Sequence, residues 1–149
     1  MRRSVWLFLF LVLCGRAAVA WAGPAEEIAQ VDEQAVKALN DGNLDAYMAL
    51  HADDAVLTPS GAPFRIEGKE AVRSFFAGLF QNFPTRRFVE RQRTIRVYGD
   101  STGILNAYFT VTLVDRAGAV NTVHARMSVT FVRMGGRWLV ADDHASRLP

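Results

Sequence analysis

Asp142, His144 and Ser146 stand at alternate positions near the end of a 149-residue chain. They close the run Gly135-Gly136-Arg137-Trp138-Leu139-Val140-Ala141-Asp142-Asp143-His144-Ala145-Ser146. Alternate side chains of an extended strand share a face, which sets a carboxylate, an imidazole and a hydroxyl in line with Trp138 and Val140. Asp142 beside His144 is an arrangement that poises an imidazole to donate or accept a proton. The plain alternative is an edge strand with a polar outer face. The spacing matches no nucleophilic triad. No phosphate loop or dinucleotide fingerprint occurs either. His51, His124 and His144 are far apart in sequence and unaccompanied by cysteine near them, so no metal site is expected and no cofactor is implied.

The elements that must position these residues change period midway. Pro24 suits a first helical position, and Glu26 and Glu27 favour the positive end of the helix dipole. Ile28, Val31, Ala35, Ala38 and Leu39 recur at helical spacing until Asp41-Gly42. Asn43 caps a short second helix bearing Leu44, Tyr47 and Met48. Asp53-Asp54 reads as a turn that breaks it before a short strand, Ala55 to Thr58. A proline- and glycine-rich loop follows. Gly68 opens a third helix with Val72, Phe75, Phe76, Leu79 and Phe80 as its apolar stripe. After Pro84 the period becomes two, predicting strands at Phe88 to Tyr98, Thr102 to Asp115, Val120 to Arg133 and Trp138 to Ser146. Helices first and an antiparallel meander second define an α+β fold, with helices on one side of a curved sheet.

The meander's two faces differ. Odd positions are apolar (Leu105, Phe109, Val111, Val123, Val129, Phe131), whereas even ones carry Asn106, Tyr108, Thr110, His124, Arg126 and Ser128. Short polar groups among aromatics suit a pocket first, a subunit interface second and open water third. If the last hairpin turns through three residues, Met134-Gly135-Gly136, Arg126 faces His144 and Ser128 faces Asp142. A two-residue turn shifts that register by one and parts Arg126 from His144. The three-residue turn keeps polar with polar and is the expected one. In that arrangement Arg126 holds an acidic or carbonyl group and Tyr108 and His144 supply hydrogen bonds. Ser128 and Trp138 complete the wall, and His51, after the second helix, is a further lining candidate.

Residues 1–22 read as a cleaved signal peptide: Arg2 and Arg3, an apolar run from Val5 to Cys14, and the small-x-small motif Ala20-Trp21-Ala22. A lipid-anchored form at Cys14 is the rival reading, disfavoured by the bulky Leu13. The expectation is an exported chain, periplasmic or secreted, with one domain over 23–149 and no membrane association after cleavage. Of the 17 Lys and Arg residues, three lie in that leader, leaving 14 against 15 Asp and Glu. The basic balance of the whole chain therefore makes no case for a nucleic-acid partner. Charge is nonetheless uneven: Arg86, Arg87, Arg91, Arg93 and Arg96 crowd one strand, whose plain reading is an edge that discourages pairing.

The segments Asp41-Gly42-Asn43-Leu44-Asp45-Ala46, Ala52-Asp53-Asp54-Ala55-Val56-Leu57 and Glu67-Gly68-Lys69-Glu70-Ala71-Val72-Arg73 resemble SnoaL-like members of the nuclear transport factor two superfamily. Arg126 to Phe131, Gly136 to Val140 and His144-Ala145-Ser146 look most like the branch around the calcium/calmodulin-dependent kinase II association domain, with its bacterial SgcJ/EcaC-like members. The resemblance implies a cone of three helices against a strongly bent sheet, a small-molecule pocket inside the cone and a homodimer formed through the sheet. It implies acid–base chemistry without a cofactor if the chain is an enzyme, and a non-enzymatic assembly module otherwise. Thr58-Pro59 stands where ketosteroid isomerases carry their base, and the first helix has no tyrosine, which argues against that isomerisation.

Overall fold

The structure is a computed structural model and describes residues 23–149; the signal-peptide reading and the Cys14 alternative fall outside the described residues. Three helices, α1 (Pro24–Asp41), α2 (Leu44–Met48) and α3 (Lys69–Asn82), pack against one six-stranded sheet. Its strands are β1 (His51–Thr58), β2 (Ile66–Glu67), β3 (Thr85–Tyr98), β4 (Thr102–Val114), β5 (Val120–Met134) and β6 (Arg137–Arg147), ordered β2-β1-β6-β5-β4-β3. The sheet is curved and unclosed, and the fold is α+β as the sequence predicts.

Local chemistry explains the helix ends. Pro24 sits in the first turn of α1, and Gly42 ends it at φ 71°, a left-handed conformation that costs glycine little. The amides of Gly42 and Asn43 then donate to the carbonyls of Leu39 and Ala38, at 3.3 and 2.9 Å. Asn43 turns the chain at once into α2 by accepting from the Ala46 amide at 3.0 Å. The Asn40 side chain fastens the end of α1 to β3, accepting from the Phe88 amide at 2.7 Å and donating to the Phe88 carbonyl at 3.1 Å. α1 buries Ile28 against Leu105, Phe131 and Trp138; α2 and α3 close over Leu57 with Tyr47, Val72 and Phe76.

Three readings need correction. Asp53-Asp54 is not a turn: both residues lie within β1, which pairs in parallel with β6 and carries a register irregularity between His51 and Val56. That irregularity leaves both carboxylates exposed without ending the strand. β3 begins at Thr85 rather than Phe88. Its start is held by Arg86, which donates to the Leu39 carbonyl at 3.0 Å and stacks 3.9 Å over the Phe80 ring.

The third correction concerns the last hairpin. Met134 pairs with Arg137, so the turn has two residues, Gly135 and Gly136, at φ 56° and 78°. Two positive φ values define the tight turn that matches strand twist. The register then slips once: Phe131 pairs with Val140 but Thr130 pairs with Asp142, leaving Ala141 as an extra residue. This bulge reverses which parity faces the helices. Trp138 and Val140 point inward before it; Asp143 and Ala145 do so after it, opposite Val129 and Met127. Arg126 therefore faces Ser146, and Ser128 faces His144, in place of the expected partners.

Replacing Gly136 with alanine is expected to destabilise the protein by about 1 kcal/mol, because a side chain must adopt the left-handed region. A lowered urea midpoint with an unchanged slope is the expected result.

Candidate functional site

The sequence-predicted residues divide between the two faces of the sheet. Arg126, Tyr108, Ser128 and His144 lie on the outer face, away from the helices, and line one open groove of about 680 Å³ with Asn106, Thr94, Gln92 and Ser146. Within it the Arg126 Nε donates to the Ser146 Oγ at 3.0 Å, and the Asn106 Nδ2 donates to the Ser128 Oγ at 2.8 Å. Asp142 shares this face, opposite Thr130, but stands outside the groove lining. Trp138 is absent from it too. It is buried in the core, and its Nε1 donates to Glu27 Oε2 at 2.8 Å, because the two-residue Gly135-Gly136 turn sets it opposite Arg133 on the helix side.

His51 is buried on the helix side. Its Nδ1 lies 3.0 Å from the Tyr47 carbonyl oxygen, and its ring sits 4.6 Å from the Tyr47 ring. Burial lowers its pKa to about 4; the Tyr47 backbone contact opposes the shift and the Lys69 charge adds to it. At neutral pH this imidazole is uncharged.

The helix side also gathers a set that sequence reasoning missed. Asp32 of α1 is buried, with Arg93 Nη1 at 2.9 Å from its Oδ2. The same guanidinium reaches Glu33 at 3.0 Å and Glu90 at 3.8 Å, so one cation serves three carboxyl groups. Glu90 Oε1 is sealed from solvent and has no hydrogen-bond partner. Burial, then the charge of Asp32 and a hydrogen bond to it, push the Glu90 pKa up to about 7, against the pull of Arg93. Asp143 is pushed up to about 7 as well, by burial first and then by the charges of Asp142 and Asp32. Burial holds the Tyr47 hydroxyl well above the usual tyrosine range, reinforced by Asp143 and Asp32. Tyr47 is 4% exposed. A cleft of about 530 Å³ between α1 and β3, lined by Asp32, Glu90, Arg93 and Asn40, opens onto the Asp32–Arg93–Glu90 part of this set; Asp143 and Tyr47 are not in its lining.

Two signals were available for this set. Asp32 falls on the stripe of Ile28, Val31 and Ala35, where a carboxylate is out of place. Asp143 alternates with Asp142 and His144, so the polar face read for those two already turns it to the apolar side, where a carboxylate is out of place.

A bent sheet folded over three helices is the fold of the nuclear transport factor two-like, or cystatin-like, class. Within that class the chain belongs to the SnoaL-like domain family, whose model matches residues 28–149. The structure is similar to a Xanthomonas campestris protein provisionally named a calcium/calmodulin-dependent protein kinase II association domain (28% identity, 89% of this chain, 94% of that one, TM-score 0.76). It is also similar in fold to a provisionally named dehydratase of the nuclear transport factor two-like family from Streptomyces avermitilis (16%, 83% and 96%, 0.75). A provisionally named scytalone dehydratase from Novosphingobium aromaticivorans is a third (12%, 83% and 83%, 0.76). No curated protein matches the chain significantly. Among the described residues no helix is long and apolar enough to cross a membrane, and no group of His, Cys, Asp and Glu is placed to hold a metal ion.

The carboxyl set makes stability depend on pH in a defined direction. Glu90 and Asp143 bind protons more tightly folded than unfolded, so the stability they contribute is complete near pH 4 and is lost as pH rises to about 7. His51 acts oppositely, because its folded pKa is depressed; its stabilisation grows as pH rises from about 4 toward 6.5. Two carboxyls outweigh one imidazole. Stability is expected to fall by about 1 kcal/mol between pH 5 and 7, and Asp143→Asn is expected to flatten that slope. Urea melts across the range measure both.

Proposed function

We propose that this chain is an exported small-molecule-binding domain that seats a carbonyl-bearing ligand between α1 and the concave face of the sheet and exchanges protons with it. The observation that carries this reading is the gathering of Asp32, Glu90 and Asp143 with the buried Tyr47 on the helix side of the sheet, where Arg93 bridges Asp32 and Glu90 and Glu90 Oε1 is unpartnered. Carboxyl groups that hold protons near neutrality can both donate and accept them, which is what acid–base catalysis at pH 7 requires. The Tyr47 hydroxyl supplies a hydrogen bond to a ligand oxygen, and Asp143 takes a proton from the carbon beside it. Neutral His51 braces Tyr47 from behind. The names given to the two dehydratase-like relatives agree with proton chemistry without assigning it. Export rests on the leader read in residues 1–22.

A panel of small ketones and acids tests the binding: a ligand of the native state raises the melting temperature. Solvent deuterium should enter the carbon beside the carbonyl of a bound ketone. Asp143→Asn is expected to slow that exchange by about a hundredfold or more, and Tyr47→Phe by a smaller factor, with the fold retained. Equal exchange in wild type and both variants would falsify the reading.

Homodimerisation through the sheet is the second reading, supported by the association-domain name of the Xanthomonas relative, 28% identical to this chain. Light scattering on the protein decides it: a mass of two chains is expected, and a monomer at all concentrations removes it.

A further inference from the structure

Two of the inward-facing carboxyl groups stand on strands that do not touch. Glu90 lies on β3 and Asp143 on β6, three strand spacings apart, about 14 Å along the sheet and beyond hydrogen-bond reach. Asp32 comes from α1, which packs against both strands. Its charge acts on Glu90, on Asp143 and on the Tyr47 hydroxyl alike. Asp32 is 4% exposed and lines the α1–β3 cleft with Glu90, Glu33, Lys37 and Arg93. Glu90 and Arg93 are three residues apart, a spacing that puts side chains on opposite faces of a regular strand. The bulge between Arg91 and Thr94, with Gln92 at φ 53°, instead turns both toward α1. There Arg93 sits 2.9 Å from Asp32 and 3.8 Å from Glu90, which holds the two acids side by side.

We propose that Asp32 and Glu90 share one proton and pass protons between Asp143 and the water of the α1–β3 cleft, an inference that rests on the carbonyl reading above. Glu90 Oε1 marks the shared proton. It is sealed from solvent with no donor near it, which a carboxylate tolerates poorly and a protonated carboxyl that donates to Asp32 resolves. Arg93 then faces the single negative charge left on the pair. Glu33 and Lys37 are the other charged groups of α1 at the cleft, and β4 sets only Phe109 opposite Glu90. The transfers balance. Asp143, as a carboxylate, takes the proton from the carbon beside the ligand carbonyl and hands it to Asp32, and Glu90 releases its own proton to cleft water. A deuteron from that water returns to the carbon by the reverse route, and every carboxyl regains its starting charge. The ligand stays on the concave side, since neither Asp143 nor Tyr47 lines the cleft. Glu90 touches no ligand and acts through the other two acids. A clamp between α1 and β3 is complete with Arg93, Asp32 and Glu33 and assigns nothing to Glu90.

Infrared spectra of the ligand-free protein at about pH 6 read the shared proton, and entry of solvent deuterium into cyclohexanone reads its transfer. The isosteric Glu90→Gln is expected to remove one carboxylic-acid C=O band and to slow exchange about tenfold, while cyclohexanone still raises the melting temperature. In Glu90→Ala, imidazole titrates near neutrality and enters the emptied cleft, so it is expected to restore exchange severalfold. Sodium chloride at equal ionic strength is not. An acid band that Glu90→Gln leaves in place overturns the proposal. So does slow exchange in Glu90→Ala that imidazole fails to restore, which reduces Glu90 to a structural contact. Wild-type protein that exchanges nothing removes the carbonyl reading and the transfer together. Exchange that Asp143→Asn abolishes and Glu90→Gln leaves untouched removes the transfer alone.

Discussion

Every polar side chain on β6 owes its direction to one extra residue, Ala141. A sheet with period two cannot place Trp138 in the core and Asp143 beside Asp32 unless parity is broken between pairings, and the unpaired residue between Val140 and Asp142 breaks it. The tight Gly135-Gly136 turn alone would carry the slipped register along the whole strand and bury His144. The bulge restores polar-to-polar pairing for the second half, with Ser146 on Arg126 and His144 on Ser128. Trp138 meanwhile keeps its apolar surroundings and its bond to Glu27.

A second bulge mirrors the first. Between Arg91 and Thr94 the register of β3 slips, Gln92 takes a positive φ, and Arg93 turns back to α1 to reach Asp32 and the Ala29 carbonyl. Arg91 and Thr94 stay on the outer face. The flat-pleated β4–β5 hairpin, which pairs without a slip over its length, thus lies between two strands that each exchange one residue between faces. The outcome is an uneven charge distribution across β3–β5: Glu90 and Arg93 turn to the helix side, and Arg87, Arg91, Arg96 and Arg126 to the outer face. The halves of the sequence foreshadow it, ten acids in the first and ten arginines in the second, but their meeting on opposite sides of β3 depends on the bulges.

Much of this architecture was legible in residue order. The Pro24 start, the Gly42 stop, the Asn43 cap and the odd-apolar strands are local effects, and local rules recover them. The even face of β4 and β5 was read correctly as the polar one, and Arg126, Tyr108, Ser128 and His144 do border one groove. What escaped the reading is non-local. The parallel pairing of β1 with β6 turns Asp53-Asp54 from a turn into part of a strand, and nothing in those two residues announces a partner ninety positions away. Asp143 is placed on the apolar face by its alternation with Asp142 and His144, but its meeting with Asp32 of α1 is non-local. Tyr47 and His51 were visible as a helix residue and a helix end; that their rings meet beside Asp143 is a product of α2 closing on the sheet.

The concave cluster is costly, and that cost is informative. Burying Asp32, Glu90 and Asp143 with a single guanidinium, which meets the first two of them, leaves charge uncompensated, so Glu90 and Asp143 hold protons up to neutrality. An apolar residue at Asp143, among Leu57 and Val129 on the same face, would pack with less penalty. The fold nonetheless spends two bulges, one of them strained, in bringing Arg93 and Asp143 to Asp32 from separate strands. Packing gives no reason for that expense, since the neighbouring apolar clusters are already closed. The proton exchange proposed for this cluster would give one: groups held half-protonated in a low-dielectric site exchange protons without first shedding water, and a chain that repacked them would gain stability and lose that capacity.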